Sequence, residues 1–410
     1  MNFDPRIALE YAGQFARPRQ VGTRQEIQVA REIAGQLNHS GYSVKYQDFE
    51  FSTAFERFLT LEILTGLLLI AVCLLTSGTN RWFTLIPTGL LISLVLLISP
   101  LNRKVQGNSV KTTGDEHPTF WSRIVWKLGA FLQTKNIVAE LSGTPLDIDI
   151  PHLYLVAHYD SKSQHLPLVL RIALFLIVIS GTILFSILNL ISLVNASFEP
   201  ALLVIGILVL ICGIPLLFLD YGNKSPGAID NASGVGLVLH LAEILAVYPG
   251  VGGKLNIRVL ITGAEELGVK GALAYLQQNA AALRNLAQRG GLQVLNFDGI
   301  GVDGKLYVVG SDPSPSQANG TDLYHLVRQS AGELGIPLGR FLLPGAMFDH
   351  IPFAEEGYDA LSLVGVGKGS SSVHTSGDSP EKLHIKGFDQ AGRLALRVVE
   401  KYCGEQINQE

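Results

Sequence analysis

The sequence predicts an α/β fold, a three-layer sandwich around a largely parallel central sheet, with four transmembrane helices inserted as two hairpins. Two observations carry this reading. Short apolar runs bounded by polar turns alternate with segments of helical periodicity through most of the chain. Four much longer apolar runs interrupt that alternation. The composition agrees: of 410 residues, 48% are hydrophobic and only 16% charged, where a soluble domain carries roughly 25% charged residues.

In chain order, residues 1–56 open the α/β domain. The spacing predicts a helix over Gln25–Asn38, ending near Gly41, and a strand over Tyr42–Phe51. The first residues, MNFDPRIALEYAG, lack the basic start and apolar core of a signal peptide. Residues 57–100 form the first hairpin, from the apolar runs Phe58–Ser77 and Trp82–Ser99. Residues 101–165 return to the α/β domain. Residues 166–220 form the second hairpin, with runs from about Leu168 to Val194 and from Ala201 to Leu219. Residues 221–410 complete the α/β domain. Its strands are expected at Leu153–Ala157, Ile257–Gly263, Leu292–Phe297 and Leu306–Gly310, and its helices at Gly234–Tyr248, Val269–Asn279, Asp322–Leu334 and His384–Tyr402.

A spanning helix needs about 20 mostly apolar residues. The joining loops SGTNR and NASFEP are short, so all other polar sequence lies on one side of the membrane. Trp82 suits the interface, and Pro87 and Pro215 are expected to kink their helices. Arg57, Arg103, Lys104, Lys162, Arg171 and Lys224 flank the spans on the shared side, against Arg81 alone at the tips. This bias predicts a multi-pass membrane protein whose polar domain faces the cytoplasm. Arg171 lies within an apolar run and is expected to reach for the headgroups.

Net charge is −4 and no basic stripe appears, which argues against a nucleic-acid partner. Cys73, Cys212 and Cys403 have no metal-type spacing, so any metal chemistry must use His and carboxylates. A transporter would need polar groups within the spans, which hold little beyond Glu62 and Arg171 near their ends.

In open α/β sheets ligands bind beyond the carboxyl ends of the strands. The residues there form a chemically complete set. His158, Tyr159 and Asp160 follow one strand, Glu265 and Glu266 another, and Asp298 a third. Asp230 sits in the loop SPGAIDNASG before a helix, and His374 in the Gly/Ser-rich SSSVHTSGD. None is distinctive alone. Together, two His and three carboxylates suit two closely spaced zinc ions, one carboxylate bridging. A further carboxylate is needed off the metal as a base, and the adjacent Glu265 and Glu266 can divide these roles.

The ordered motifs AHYDS, DNASG, GAEELGVKGA, NFDGIG, DHIPF and VHTSGD resemble those of the family 28 metallopeptidases, two-zinc aminopeptidases and their relatives. The resemblance spans about residues 153 to 383, and the N-terminal helix and strand also fit. It implies a zinc aminopeptidase-like fold, with the hairpins as insertions. It implies two zinc ions per chain, with His158 and Asp298 on one, Glu266 and His374 on the other, and Asp230 bridging. Glu265 would be general base and then acid, and Asp160 would orient His158. The Asp230–Asn231 peptide would be cis. Asp349 and His350 are expected to support the site. The chain departs from some relatives in placing Val373, not Tyr, before His374. That leaves oxyanion stabilisation to the metal or to His350. The implied activity is release of N-terminal amino acids from peptides. The alternatives are a one-zinc glutaminyl cyclase-like acyltransferase and a non-catalytic membrane receptor or scaffold.

Overall fold

The computed structural model describes residues 1–78, 80–111, 119–141, 148–219, 221–248, 254–310, 322–340 and 346–404. The strands are β1 (Tyr42–Ser52), β2 (Val110–Lys111), β3 (Phe131–Leu141), β4 (His152–His158), β5 (Ser163–Gln164), β6 (Tyr221–Gly222), β7 (Asn256–Thr262), β8 (Leu292–Asp298), β9 (Asp303–Gly310), β10 (Leu338–Arg340) and β11 (Asp359–Lys368). The helices are α1 (Pro5–Phe15), α2 (Arg24–His39), α3 (Ala54–Ser77), α4 (Leu85–Gly107), α5 (Phe120–Leu128), α6 (Leu168–Ser192), α7 (Glu199–Gly213), α8 (Ser233–Ala246), α9 (Lys270–Arg289), α10 (Asp322–Glu333), α11 (His350–Glu355) and α12 (Ile385–Tyr402).

Nine strands make one sheet in the order β10-β9-β11-β8-β4-β7-β3-β1-β2, and β5 pairs with β6 separately. The sheet is mixed rather than largely parallel. Its centre, β11-β8-β4-β7, is parallel, whereas β9 joins β11, and β3 joins β7, antiparallel. The reason lies partly in β1 and β3, which pair antiparallel along their full lengths on either side of the first hairpin. An antiparallel partner needs no crossover helix, so the insertion fits between them.

Alternation along β4 builds the three layers. Leu153, Leu155 and Ala157 pack in a core with α1, α2, α8 and α12. Tyr154 and Val156 face the other way, against α9 and Phe353 of α11. Side chains of successive strand residues point to opposite faces, so β4, buried at every position, serves both cores. α2 starts at Thr23, whose side chain accepts the Glu26 N–H, while Glu26 returns to the Gly22 N–H. These bonds satisfy donors that a helix start otherwise leaves open.

The four long apolar runs are helical. α3 and α4 are joined through a 3₁₀ turn at Arg81–Thr84, and α6 and α7 through another at Ala196–Phe198. α7 gives way to 3₁₀ geometry at Ile214–Phe218, where Pro215 falls. Pro87 sits in the first turn of α4, so it does not interrupt that helix. The helices pack on one another through Leu67, Ile70, Cys73, Leu91, Phe185, Leu202 and Val209, yet Leu75, Ile86, Leu96, Val204 and Ile211 are exposed. Among the described residues, five helices are long and apolar enough to cross a membrane, but Ala228–Ala246 is 83% buried in the protein against 11–28% for the other four. That fifth segment contains α8, a core helix of the sandwich.

Candidate metal centre

The parallel register puts the ends of three strands side by side. In β4 and β7, His158 stands opposite Thr262. β8 runs beside β4 and ends at Asp298. The turn Gly263–Glu266 leaves β7 at the same edge. Ala264 takes a positive φ of 56° there, and the Glu265 carbonyl accepts the N–H groups of Gly268 and Val269 at 2.8 and 2.7 Å. Asp160 fixes this turn from below: its Oδ1 accepts the Glu265 N–H at 3.1 Å and its Oδ2 the Glu266 N–H at 3.2 Å.

Asp230 arrives from the kinked segment before α8, where the Asp230–Asn231 peptide is cis. Asn231 is fully buried. It donates to the Phe297 carbonyl at 2.8 Å and accepts from Gly234 N–H at 2.9 Å, tying the kink to the end of β8. A Cβ on Gly234 would strike both the Asn231 side chain and the Phe297 carbonyl, which accounts for the glycine in DNASG. Asp378 accepts the N–H groups of Ile229 and Asp230 at 2.7 and 3.2 Å. The buried Arg19 guanidinium donates to the carbonyls of Tyr159, Pro226 and Gly227, at 2.5, 2.5 and 2.9 Å.

All five expected ligands meet here. His158 Nε2 lies 3.1 Å from Asp230 Oδ1 and 3.8 Å from Asp298 Oδ2. His374 Nε2 lies 3.0 Å from Asp230 Oδ2 and 2.9 Å from Glu266 Oε2. Two groups, His158/Glu265/Asp298 and Asp230/Glu266/His374, each bring ligand-type atoms within 4.8 Å of one another. Glu265 Oε2 is 3.7 Å from His158 Nε2, close enough to act as a ligand itself, although a proton-transfer role requires it to stay off the metal.

The donor set fits divalent zinc. Both imidazole Nε2 atoms are buried without a hydrogen-bond partner, and nitrogen with carboxylate oxygen is a zinc-type combination. The electrostatics fit as well. Burial pushes the Asp298 carboxyl up to about 8, with Asp230 adding to it. Burial likewise raises Glu265 well above the usual carboxylate range, with Asp298, Asp349 and Glu266 adding and His158 opposing. For Asp230, burial also favours the neutral acid, but the two imidazoles outweigh it and hold the group well below the usual range. Crowded carboxylates in a dry site are what bound cations would relieve.

Other expectations need adjustment. The Asp160 carboxylate is 3.6 Å from His158 Nδ1, while the Asp160 main-chain carbonyl is nearer, at 3.3 Å. Arg171 turns to the site instead: its Nη2 lies 2.9 Å from His374 Nδ1, within the field of Glu266 and Asp230. His350 is buried, with Nδ1 2.6 Å from Ser362 Oγ and its ring stacked on Phe348. Asp349 accepts from Thr262 Oγ1 at 2.5 Å and leaves Oδ1 buried and unpaired. The Gly/Ser/Pro-rich stretch 311–320 lies outside the described residues, and Gly365–Lys368 is the end of β11. Lys162 was counted only as a flanking charge, yet its Nζ sits 3.0 Å from Glu266 Oε2.

The α/β sandwich thus sets two abutting His/carboxylate clusters, each able to hold a metal ion, at its strand ends. Residues 136–399 match Peptidase family M28, over half of the chain, and the chain belongs to that family. Aminopeptidase YwaD of Bacillus subtilis (strain 168) is 30% identical over 183 residues, which cover 43% of this chain and 37% of that relative. The zinc aminopeptidase BSAP from Bacillus subtilis shares the fold at a TM-score of 0.54 and 16% identity, covering 98% of this chain and 95% of that one. Porphyromonas gingivalis glutaminyl cyclase does so at 0.51 and 14%, covering 97% and 98%. The fold therefore does not separate peptidase from cyclase, and the distinction rests on the site.

Proposed function

We propose that the chain is a membrane-anchored aminopeptidase that holds two zinc ions. His158 and Asp298 would hold one and Glu266 and His374 the other, with Asp230 shared. The observation that carries this reading is the placement of Asp230, whose two oxygens lie 3.1 and 3.0 Å from the Nε2 atoms of His158 and His374. One carboxylate facing two imidazoles suits a bridging ligand. Bound zinc supplies Lewis-acid polarisation of the scissile carbonyl and a lowered pKa for water.

The protein's own groups do the rest. Glu265 takes the proton of the attacking water and returns it to the leaving amine. Its burial among other carboxylates raises its proton affinity, as that dual role needs. Asp160 keeps Glu265 and Glu266 in register through their backbone N–H groups. The four exposed apolar helices cross the bilayer in this reading. The α/β domain then faces the cytoplasm, on the side of Arg57, Arg103, Lys104 and Lys224.

The test is hydrolysis of aminoacyl and end-blocked peptides by detergent-purified protein, before and after chelation. Chelator-sensitive release of N-terminal residues is expected. Glu265→Gln should keep its metal and lose roughly 10²–10⁴-fold in turnover, the usual worth of a general base. Undiminished turnover in that variant would sink the base assignment. Ring closure of an N-terminal Gln peptide without cleavage would instead favour acyl transfer.

A further inference from the structure

The base of the second hairpin reaches into one half of the site. β5 and β6 pair directly outside α6 and the 3₁₀ turn that ends the hairpin, and Gln164 N–H donates to the His374 carbonyl at 2.8 Å. Arg171, in the first turn of α6, approaches His374 Nδ1 at 2.9 Å. Lys162 Nζ lies 3.0 Å from Glu266 Oε2 and donates to the Glu266 carbonyl at 2.7 Å, with the Tyr221 ring 5.3 Å away.

These contacts make the two halves chemically unequal. A metal-bound imidazole ordinarily donates its second N–H to an oxygen acceptor, which raises its strength as a ligand. His158 follows this pattern, with Nδ1 facing the Asp160 carbonyl at 3.3 Å. His374 has a guanidinium in that place, and a guanidinium carries only donors. It can donate only to an unprotonated Nδ1, which leaves the ring proton on Nε2, the atom that would bind the cation, and it adds positive charge behind the ring. Lys162 likewise competes with a cation for the Glu266 carboxylate. Both effects reduce the attraction of this half for a divalent cation.

We propose that Arg171 and Lys162, supplied by the base of the second hairpin, make the Asp230–Glu266–His374 cluster the weaker of the two zinc positions. The hairpin thus sets metal occupancy as well as anchoring the chain. This rests on the two-ion reading above.

The experiment is zinc titration of the full chain in detergent, stripped by chelation, followed by calorimetry and by competition with a fluorescent chelator. Two binding events of unequal affinity are expected. His374→Ala should abolish the weaker event and His158→Ala the tighter. Arg171→Met and Lys162→Met should each strengthen the weaker event by roughly 10- to 100-fold, the usual scale for groups behind metal ligands. Neither should move the tighter event, and Arg171→Lys, which keeps the charge, should stay near wild type. Two equal events, or unchanged or weakened binding in both Met variants, would overturn this inference alone. A single zinc event in the wild-type chain would overturn the two-ion reading itself.

Discussion

Asp160 accepts the backbone N–H of Glu265 at 3.1 Å, so a residue 105 positions earlier in sequence fixes the Gly263–Glu266 turn and with it the height of the proposed base. With its other oxygen on Glu266 N–H, the carboxylate holds both glutamates. Asp160→Asn keeps the shape but turns an NH₂ group toward one of the two N–H donors. Turnover is expected to fall by roughly 10- to 100-fold, in line with other groups that orient a metal site. Metal content should stay near wild type, since all the proposed ligands remain. Measuring kcat beside zinc stoichiometry checks this, and equal loss of both would show that Asp160 serves metal retention instead.

Asp378 performs the matching task for Asp230, through the N–H groups of Ile229 and Asp230 at 2.7 and 3.2 Å. Asp378→Ala leaves two buried donors unpaired, at about 1–3 kcal/mol each. The expected result is a stability loss of about 2–6 kcal/mol in chemical denaturation, with weaker zinc binding. A loss below about 1 kcal/mol would mean that water replaces the carboxylate without cost.

How much of this was legible depended on whether the signal was local. His158 and Asp298 end strands whose apolar runs are unmistakable, and all five proposed ligands sit in short motifs. β3 was missed because FLQTKNIVAEL mixes Gln133, Lys135 and Glu140 into its run, and β11 because Gly365 and Gly367 read as loop. α1 was missed because its buried face is carried by only Ala8, Ala12 and Phe15. Arg171 was misread for a different reason. Within its apolar run it has the appearance of a membrane residue, and its partner lies 203 positions away. Arg19 carries no pattern at all: it contacts carbonyls brought together only by the fold.

His350 supplies a pH dependence separate from the metal ligands. Burial lowers its pKa from 6.5 to about 3 in the folded chain. The unfolded chain therefore binds the extra proton between these values, and stability rises with pH across that window. The contribution is complete above pH 6.5 and lost as pH falls toward 3, amounting to about 4–5 kcal/mol in total. Asp349, raised to about 6 by burial, acts in the opposite sense, so comparison of variants is needed. His350→Asn keeps an acceptor for Ser362 without a titrating ring. Its denaturation midpoint should fall less than that of the wild type between pH 7 and pH 4. Parallel curves would rule out His350 as the source.

The helix bundle that delivers Arg171 is closed by small residues. A Cβ on Gly206 of α7 would lie 2.9 Å from both Leu74 Cδ1 of α3 and Phe185 Cε2 of α6, while one on Gly89 of α4 would meet nothing within 4 Å. Association of helices in lipid depends on such close approach, because no hydrophobic gain separates helix–helix from helix–lipid contact. Gly206→Val is therefore expected to cost about 1–3 kcal/mol by overpacking and to lower the thermal midpoint in lipid nanodiscs. Gly89→Ala should be neutral or slightly stabilising, since Ala is the better helix former by about 1 kcal/mol. Because α6 carries Arg171, Gly206→Val should also shift the weaker zinc event, whereas Gly89→Ala should not. Equal thermal midpoints for the two variants would show that α3, α6 and α7 do not pack in this way in nanodiscs.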